Sequence, residues 1–147
     1  MRAANSVDEA LAAASLYSDE VDYRLVRLPP AAITVAAGVL AEVGAPFAAL
    51  LVDKDEVTLM IDADALEDFG PRLRDHIASE SAYRLITFDV ELAPTLTGFV
   101  ATISRALADA DISILAFAAF SRNHFFVPAA DFDRAMTTLQ QLQRNVK

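Results

Sequence analysis

The side chains best suited to chemistry in this sequence are its two histidines, His76 and His124. His124 follows Ser121, Arg122 and Asn123 in a polar break between two apolar runs, where acid–base chemistry would be conceivable. Neither histidine has a sequence partner diagnostic of a catalytic triad or of a zinc site. Both are therefore interpreted as surface or turn residues.

Two acidic groups could bind a hard cation through carboxylate oxygens. They are Asp53, Asp55 and Glu56 in one group and Asp62 and Asp64 in the other. Neither group has the spacing or the glycine of an EF-hand, and turn formation and helix capping explain both more simply. We therefore predict that the protein has no metal site.

Composition excludes further classes of chemistry. The four glycines never form a dinucleotide or P-loop motif, so no cofactor is predicted. Cysteine is absent, which excludes thiol nucleophiles and disulfides. A net charge of −9 disfavours binding to nucleic acid. With no nucleophile elbow or paired-carboxylate signal either, the sequence does not predict an enzyme.

The chain is expected to be a soluble, cytoplasmic protein. Asp8 and Glu9 lie where a secretory signal would be apolar. The most apolar segment, residues 31–52, is interrupted by Glu42, Gly44 and Pro46, and is interpreted as a helix followed by a strand. No membrane association is predicted.

The elements that would position any site form a repeated pattern. Residues 23–26 (Tyr-Arg-Leu-Val) recur at 83–86 as Tyr-Arg-Leu-Ile, and each copy predicts strand, helix, strand, strand, helix. In the second copy Ile86, Phe88 and Val90 alternate with less apolar residues, which is typical of a strand. Thr95 or Thr97 is expected to cap the following helix.

This pattern predicts an α+β fold with ferredoxin-like βαββα repeats, in which antiparallel sheets carry helices on one face. We assign residues 1–20 to an N-terminal arm or short helix, 21–79 to the first half and 80–147 to the second. The predicted strand over residues 112–120 is apolar on both faces, so its second face should be covered by the other half or by another subunit. A homodimer is the expected state.

The second half resembles the ACT-domain family through two segments, residues 97–103 (Thr-Gly-Phe-Val-Ala-Thr-Ile) and residues 107–114 (Leu-Ala-Asp-Ala-Asp-Ile-Ser-Ile). It is most similar to the paired modules of the aspartate-kinase type, which also occur as small stand-alone proteins. The resemblance covers residues 83–143 well and residues 23–68 loosely, and it identifies the halves as two ACT-like halves.

Such domains bind small effectors, usually amino acids, at interfaces between paired domains, and they regulate a partner enzyme or transcription factor. The resemblance places the ligand at the loop and helix start after the first strand of the second half, together with its second strand. The implied ligand-binding residues are Pro94, Thr95, Leu96, Thr97, Gly98, Ser113 and Ile114.

Two departures from the family pattern bear on that expectation. Asp111 stands where a glycine is usual, and residues 119–124 replace a polar hairpin whose hydroxyl and acidic groups could bind an ammonium. The hypothesis is a non-catalytic module that binds a small molecule, with an amino acid as the expected effector. The alternative is a structural or protein-interaction module whose ligand pocket has decayed.

Overall fold

The computed structural model describes residues 2–44 and 46–146. In the first part of the chain the helices and strands are α1 (Val7–Ala13), β1 (Ser15–Tyr17), β2 (Asp22–Leu28), α2 (Ile33–Val43), β3 (Ala49–Val52), β4 (Val57–Asp62), α3 (Ala63–Phe69) and β5 (Ile77–Ala78). They are followed by β6 (Tyr83–Asp89), α4 (Phe99–Asp109), β7 (Leu115–Ala118), β8 (Asn123–Pro128) and α5 (Phe132–Arg144).

The chain divides into two compact units. The first unit is Val21–Tyr83, and the second unit combines Met1–Glu20 with Arg84–Lys147. From β2 to α3 and from β6 to α5, the order of elements is strand, helix, strand, strand, helix. The predicted α+β fold with two βαββα repeats is therefore confirmed.

The first unit is an antiparallel sheet with helices on one face. Strand β4 pairs with β2 on one side and with β3 on the other, and the short β5 also pairs with β2. Val26, Leu59 and Ile61 lie on one face of the sheet. They are buried there with Ala36 and Val39 of α2. The apolar side chains at every second position of the strands pack against the apolar face of the helix. Burial of these two sets of side chains forms the core.

The second unit repeats this arrangement around larger side chains. Its strands lie in the order β1, β6, β8, β7, with β1–β6 and β7–β8 antiparallel. Phe88 of β6 packs edge-to-face on Phe99 of α4 and Phe125 of β8, with ring centroids 5.2 and 5.8 Å apart. Ile103 and Leu139 bring α4 and α5 into the same core.

The N-terminal segment belongs to this second core. Ser6 caps α1 by accepting a hydrogen bond from the backbone N–H of Glu9 at 3.1 Å, as expected for a short helix. Leu11 is buried in the core of the second unit. The amide of Gln143 in α5 donates to the carbonyl oxygens of Leu11 and Ala14 at 3.1 and 2.7 Å, which joins α1 to α5.

Several boundaries differ from those that the sequence predicts. The strand expected over residues 112–120 is ordered as a strand only over Leu115–Ala118, with Leu115 and Phe117 half-buried. After α3 the chain forms a 3₁₀ turn at Gly70–Arg72 and then β5. Proline at the second position of that turn fits 3₁₀ geometry but ends the α-helical hydrogen-bond ladder.

Candidate functional site

The second unit contains an open cleft of about 430 Å³ between the tip of the β7–β8 hairpin and the start of α4. We call it the hairpin cleft. It is lined by residues 92–94, 96, 98–101 and 118–123. A volume of this size falls in the range of small-molecule binding sites.

Backbone hydrogen bonds hold the two walls of the hairpin cleft together. The N–H of Leu92 donates to the carbonyl of Ser121 at 2.8 Å, which ties the loop after β6 to the hairpin turn. The turn itself is closed by the N–H of Ala119, which donates to the carbonyl of Arg122 at 2.9 Å. The N–H of Ala93 donates to the carbonyl of Ala4 at 3.0 Å. The N-terminal segment therefore supports the loop that forms one wall.

The first turn of α4 lines the hairpin cleft and begins at Gly98, not at a capping threonine. Gly98 is the N-cap with φ 88°, and no side chain caps the helix. A threonine would be strained at this φ, whereas glycine is not. Phe99 anchors the turn in the core, and the Thr102 hydroxyl donates to the carbonyl of Gly98 at 2.8 Å. The N–H groups of a first helical turn have no partner within the helix.

Most of the residues that line the hairpin cleft have apolar side chains or, in Gly98, none. Its polar side chains are Ser121, Arg122 and Asn123, all half-buried in the hairpin turn. Arg122 donates from Nε to a carboxylate oxygen of Asp89 at 2.8 Å. Phe120 lines the cleft at the tip of the hairpin and is 95% exposed. The cleft thus combines an apolar surface with one guanidinium.

The structure brings together part of the residue set that the sequence predicts. Pro94, Leu96 and Gly98 line the hairpin cleft, whereas Thr95 and Thr97 are exposed in the same loop and do not line it.

The two predicted residues of the second strand do not line the hairpin cleft either. Ser113 is exposed and Ile114 packs against the core of the second unit. Both precede β7, whose other end supplies the cleft wall at Ala118. The sequence did not predict that residues 118–123 line the hairpin cleft. Its one signal was that residues 119–124 replace the polar hairpin of the family pattern.

A partly buried polar pair lies next to the hairpin turn, with Thr87 buried and His124 half-buried. The hydroxyl oxygen of Thr87 in β6 is 2.7 Å from Nδ1 of His124 in β8. Burial lowers the pKa of His124, and the neighbouring Arg122 guanidinium lowers it further. The imidazole therefore favours its neutral form, in which one ring nitrogen donates and the other accepts.

The acidic groups make turn and capping contacts in the first unit. Asp53 accepts hydrogen bonds from the N–H groups of Asp55 and Glu56 at 2.8 and 2.9 Å. Asp62 is the N-cap of α3 and accepts from the N–H of Asp64 at 2.8 Å. Residues 2–44 and 46–146 contain no group of three His, Cys, Asp or Glu side chains placed to hold a metal ion.

A second cavity, of about 440 Å³, lies in the first unit near the start of α2. Its lining includes Val35 together with Arg72 and Arg74. Arg72 already pairs with Glu42 and stacks on the ring of Phe69, with its guanidinium carbon 5.5 Å from the ring centroid.

Within the described residues, no helix is long and apolar enough to cross a membrane.

Comparisons with known proteins agree with this architecture. The ACT-domain family model matches residues 78–141, which confirms the resemblance of the second half. No protein of curated function matches the chain in sequence.

Solved structures share the fold at low sequence identity. A Vibrio cholerae protein of unknown function, considered a possible transport protein, is 21% identical, with a TM-score of 0.70 over 90% of this chain and 92% of its own. The ligand-free regulatory subunit of aspartate kinase from Thermus thermophilus is 16% identical, with a TM-score of 0.66 over 86% of this chain and 96% of its own. Aspartate kinase from Clostridium acetobutylicum, an allosteric enzyme, is 12% identical, with a TM-score of 0.71 over 89% of this chain but 34% of its own.

Proposed function

We propose, from the match of residues 78–141 to the ACT-domain family model, that the chain is a non-catalytic regulatory module that binds a small-molecule effector in the hairpin cleft. An amino acid is the first effector to test. The module would act as a cytoplasmic homodimer and would regulate a partner protein.

The observation that carries the proposal is the start of α4 at the hairpin cleft. Gly98 begins the helix without a side-chain cap, and its first turn lines a small-molecule-sized cavity. Helix N-termini favour anions because their N–H groups and the helix dipole point outward. An effector carboxylate would therefore bind at this turn, with its apolar part against Leu96 and Ala118.

Regulation would follow from different affinities of the effector for two conformations of the protein. A ligand shifts a conformational equilibrium only by as much as its affinities for the two states differ. The fold shared with the regulatory subunit of aspartate kinase from Thermus thermophilus supports a regulatory role of this kind.

The experiment is a thermal-shift screen of the protein against the twenty amino acids. A ligand at one hundred times its Kd should add about 2.7 kcal/mol of stability. No shift with any of them would contradict an amino-acid effector.

Substitutions in β7 test where the ligand lies. Ala118→Phe should fill the hairpin cleft and abolish the shift, because Ala118 lines it. Ala116→Phe on the same strand is the matched control, since Ala116 is also exposed but does not line the cleft. Equal loss in both variants would place the ligand elsewhere. Gly98 is unsuitable for this test because its positive φ makes any substitution strained.

The second candidate function is a protein-interaction module, and the exposure of Phe120 favours it. The ring of Phe120 is 95% exposed at the hairpin tip, so it is available to pack against another protein and to be buried there. If no effector binds, we expect Phe120→Ser to weaken self-association or partner binding, measured by sedimentation. An unchanged sedimentation coefficient together with a flat ligand screen would contradict both candidates.

A further inference from the structure

The charged side chains that line the hairpin cleft do not complement both charged groups of an amino acid. Among the described residues that line it, Arg122 is the one charged side chain, and no carboxylate is present. An amino acid carries both a carboxylate and an ammonium, so this lining matches only one of its two charged groups.

The ammonium of a bound amino acid would be poorly accommodated. The neutral side-chain acceptors in the turn are the oxygens of Ser121 and Asn123, and the carbonyls of Ser121 and Arg122 already accept from Leu92 and Ala119. A cation removed from water without an anionic partner loses more solvation than neutral acceptors return.

Arg122 lines the hairpin cleft and is held there by Asp89. Asp89 engages its Nε at 2.8 Å from β6 and does not itself line the hairpin cleft. A guanidinium has five donors in a planar fork, so one contact with Asp89 leaves capacity for a second carboxylate. Asp89 thus fixes the direction of the side chain without occupying the cleft.

We propose that the hairpin cleft binds apolar monocarboxylates that lack an ammonium group, such as branched 2-oxo acids and branched short-chain carboxylic acids, in preference to the amino acids with the same side chain. This rests on the proposed function, because it names the class of effector for the same site. The carboxylate lies at Arg122 and the first turn of α4, and the hydrocarbon part lies against the apolar wall.

Isothermal titration with a matched set of ligands tests the proposal on the full chain. The set is leucine, 4-methyl-2-oxopentanoate, 4-methylpentanoate and the neutral 4-methylpentanamide. Their hydrocarbon parts are alike, and they differ in the charged groups. At least one of the two acids should bind at least about tenfold more tightly than both leucine and the amide, the scale of one unpaired charged group. Comparison of the two acids shows whether binding requires the oxo group or only the carboxylate.

Variants of the cleft provide the matched controls. Arg122→Gln should remove the advantage of the acid over the amide, whereas Arg105→Gln, at an exposed position of α4 outside the cleft, should keep it. Asn123→Asp is isosteric and adds a carboxylate to the lining, so it should shift preference from the acids towards leucine. Melting temperatures of all three variants establish that each one is folded.

The failures of the two proposals are distinguishable. Leucine binding more tightly than both acids, or an acid preference unchanged in Arg122→Gln, would overturn the ligand class and leave an effector site in place. If no acid and no amino acid binds to the folded protein, the proposed function itself fails.

Discussion

His124 is the residue whose chemistry can be tested most directly by pH. Its Nδ1 lies 2.7 Å from the Thr87 hydroxyl, and burial followed by the Arg122 charge lowers its pKa from the ordinary 6.5. The unfolded chain therefore binds the proton more readily than the folded protein. Because stability rises with pH wherever the unfolded state binds more protons, the contribution of His124 is present above pH 6.5 and is lost as the pH falls towards its folded-state pKa.

We expect the free energy of unfolding to decrease as the pH is lowered from about 7.5 to about 5.5, across the range where histidine titrates. Urea unfolding at a series of pH values measures this. His124→Gln should flatten the profile in this range, because glutamine keeps a hydrogen-bonding group and has no titrating proton. A slope unchanged in that variant would assign the pH dependence to another group.

At the scale of elements, the sheet–helix core of the second unit depends on Phe88. Its ring is fully buried and packs on Phe99 and Phe125 at centroid distances of 5.2 and 5.8 Å. Phe88→Ala should destabilise the protein by about 3–5 kcal/mol, through lost burial and the cavity left behind. Chemical denaturation measures the change.

Phe120→Ala is the matched control for that substitution. Phe120 is 95% exposed, so its truncation should change the free energy of unfolding by less than about 0.5 kcal/mol. A comparable loss of stability in the two variants would show that Phe120 is buried in solution, for example in a dimer.

The sequence predicted the elements better than their ends. Alternating apolar residues at 86 and 88 and the repeated Tyr-Arg-Leu segments predicted β6 and the two βαββα halves, because hydrophobic periodicity is a local property. The start of α4 was predicted one to three residues too early, at Thr95 or Thr97. A glycine N-cap at φ 88° has no side-chain signal in the sequence.

At the scale of the whole molecule, the exposed edge strand β3 bears on the proposed homodimer. Leu51 is 56% exposed on a strand whose residues 49–52 include neither a charge nor a proline to discourage pairing. Pairing of this edge with a second copy would extend the sheet and cover apolar side chains.

We therefore expect the protein to sediment as a dimer and Leu51→Lys to shift it towards a monomer at the same concentration. Ile77→Lys is the matched control, because Ile77 is 59% exposed on β5 and should tolerate the charge without dissociation. A Leu51→Lys variant that remains dimeric would move the interface away from β3.

The sequence by itself determined the fold class, the repeat and the ACT-domain resemblance, because each is encoded in residues close together along the chain. The tertiary structure decided where the cavity lies. The contact of Leu92 with Ser121 and that of Ala4 with Ala93 join residues far apart in sequence, and no local pattern reports them. Residues 118–123 therefore form a second wall opposite the predicted loop at Pro94, Leu96 and Gly98, and Arg122 lies in that wall. Backbone hydrogen bonds between distant residues place that hairpin beside the loop, and every residue type can make such bonds except that proline cannot donate one.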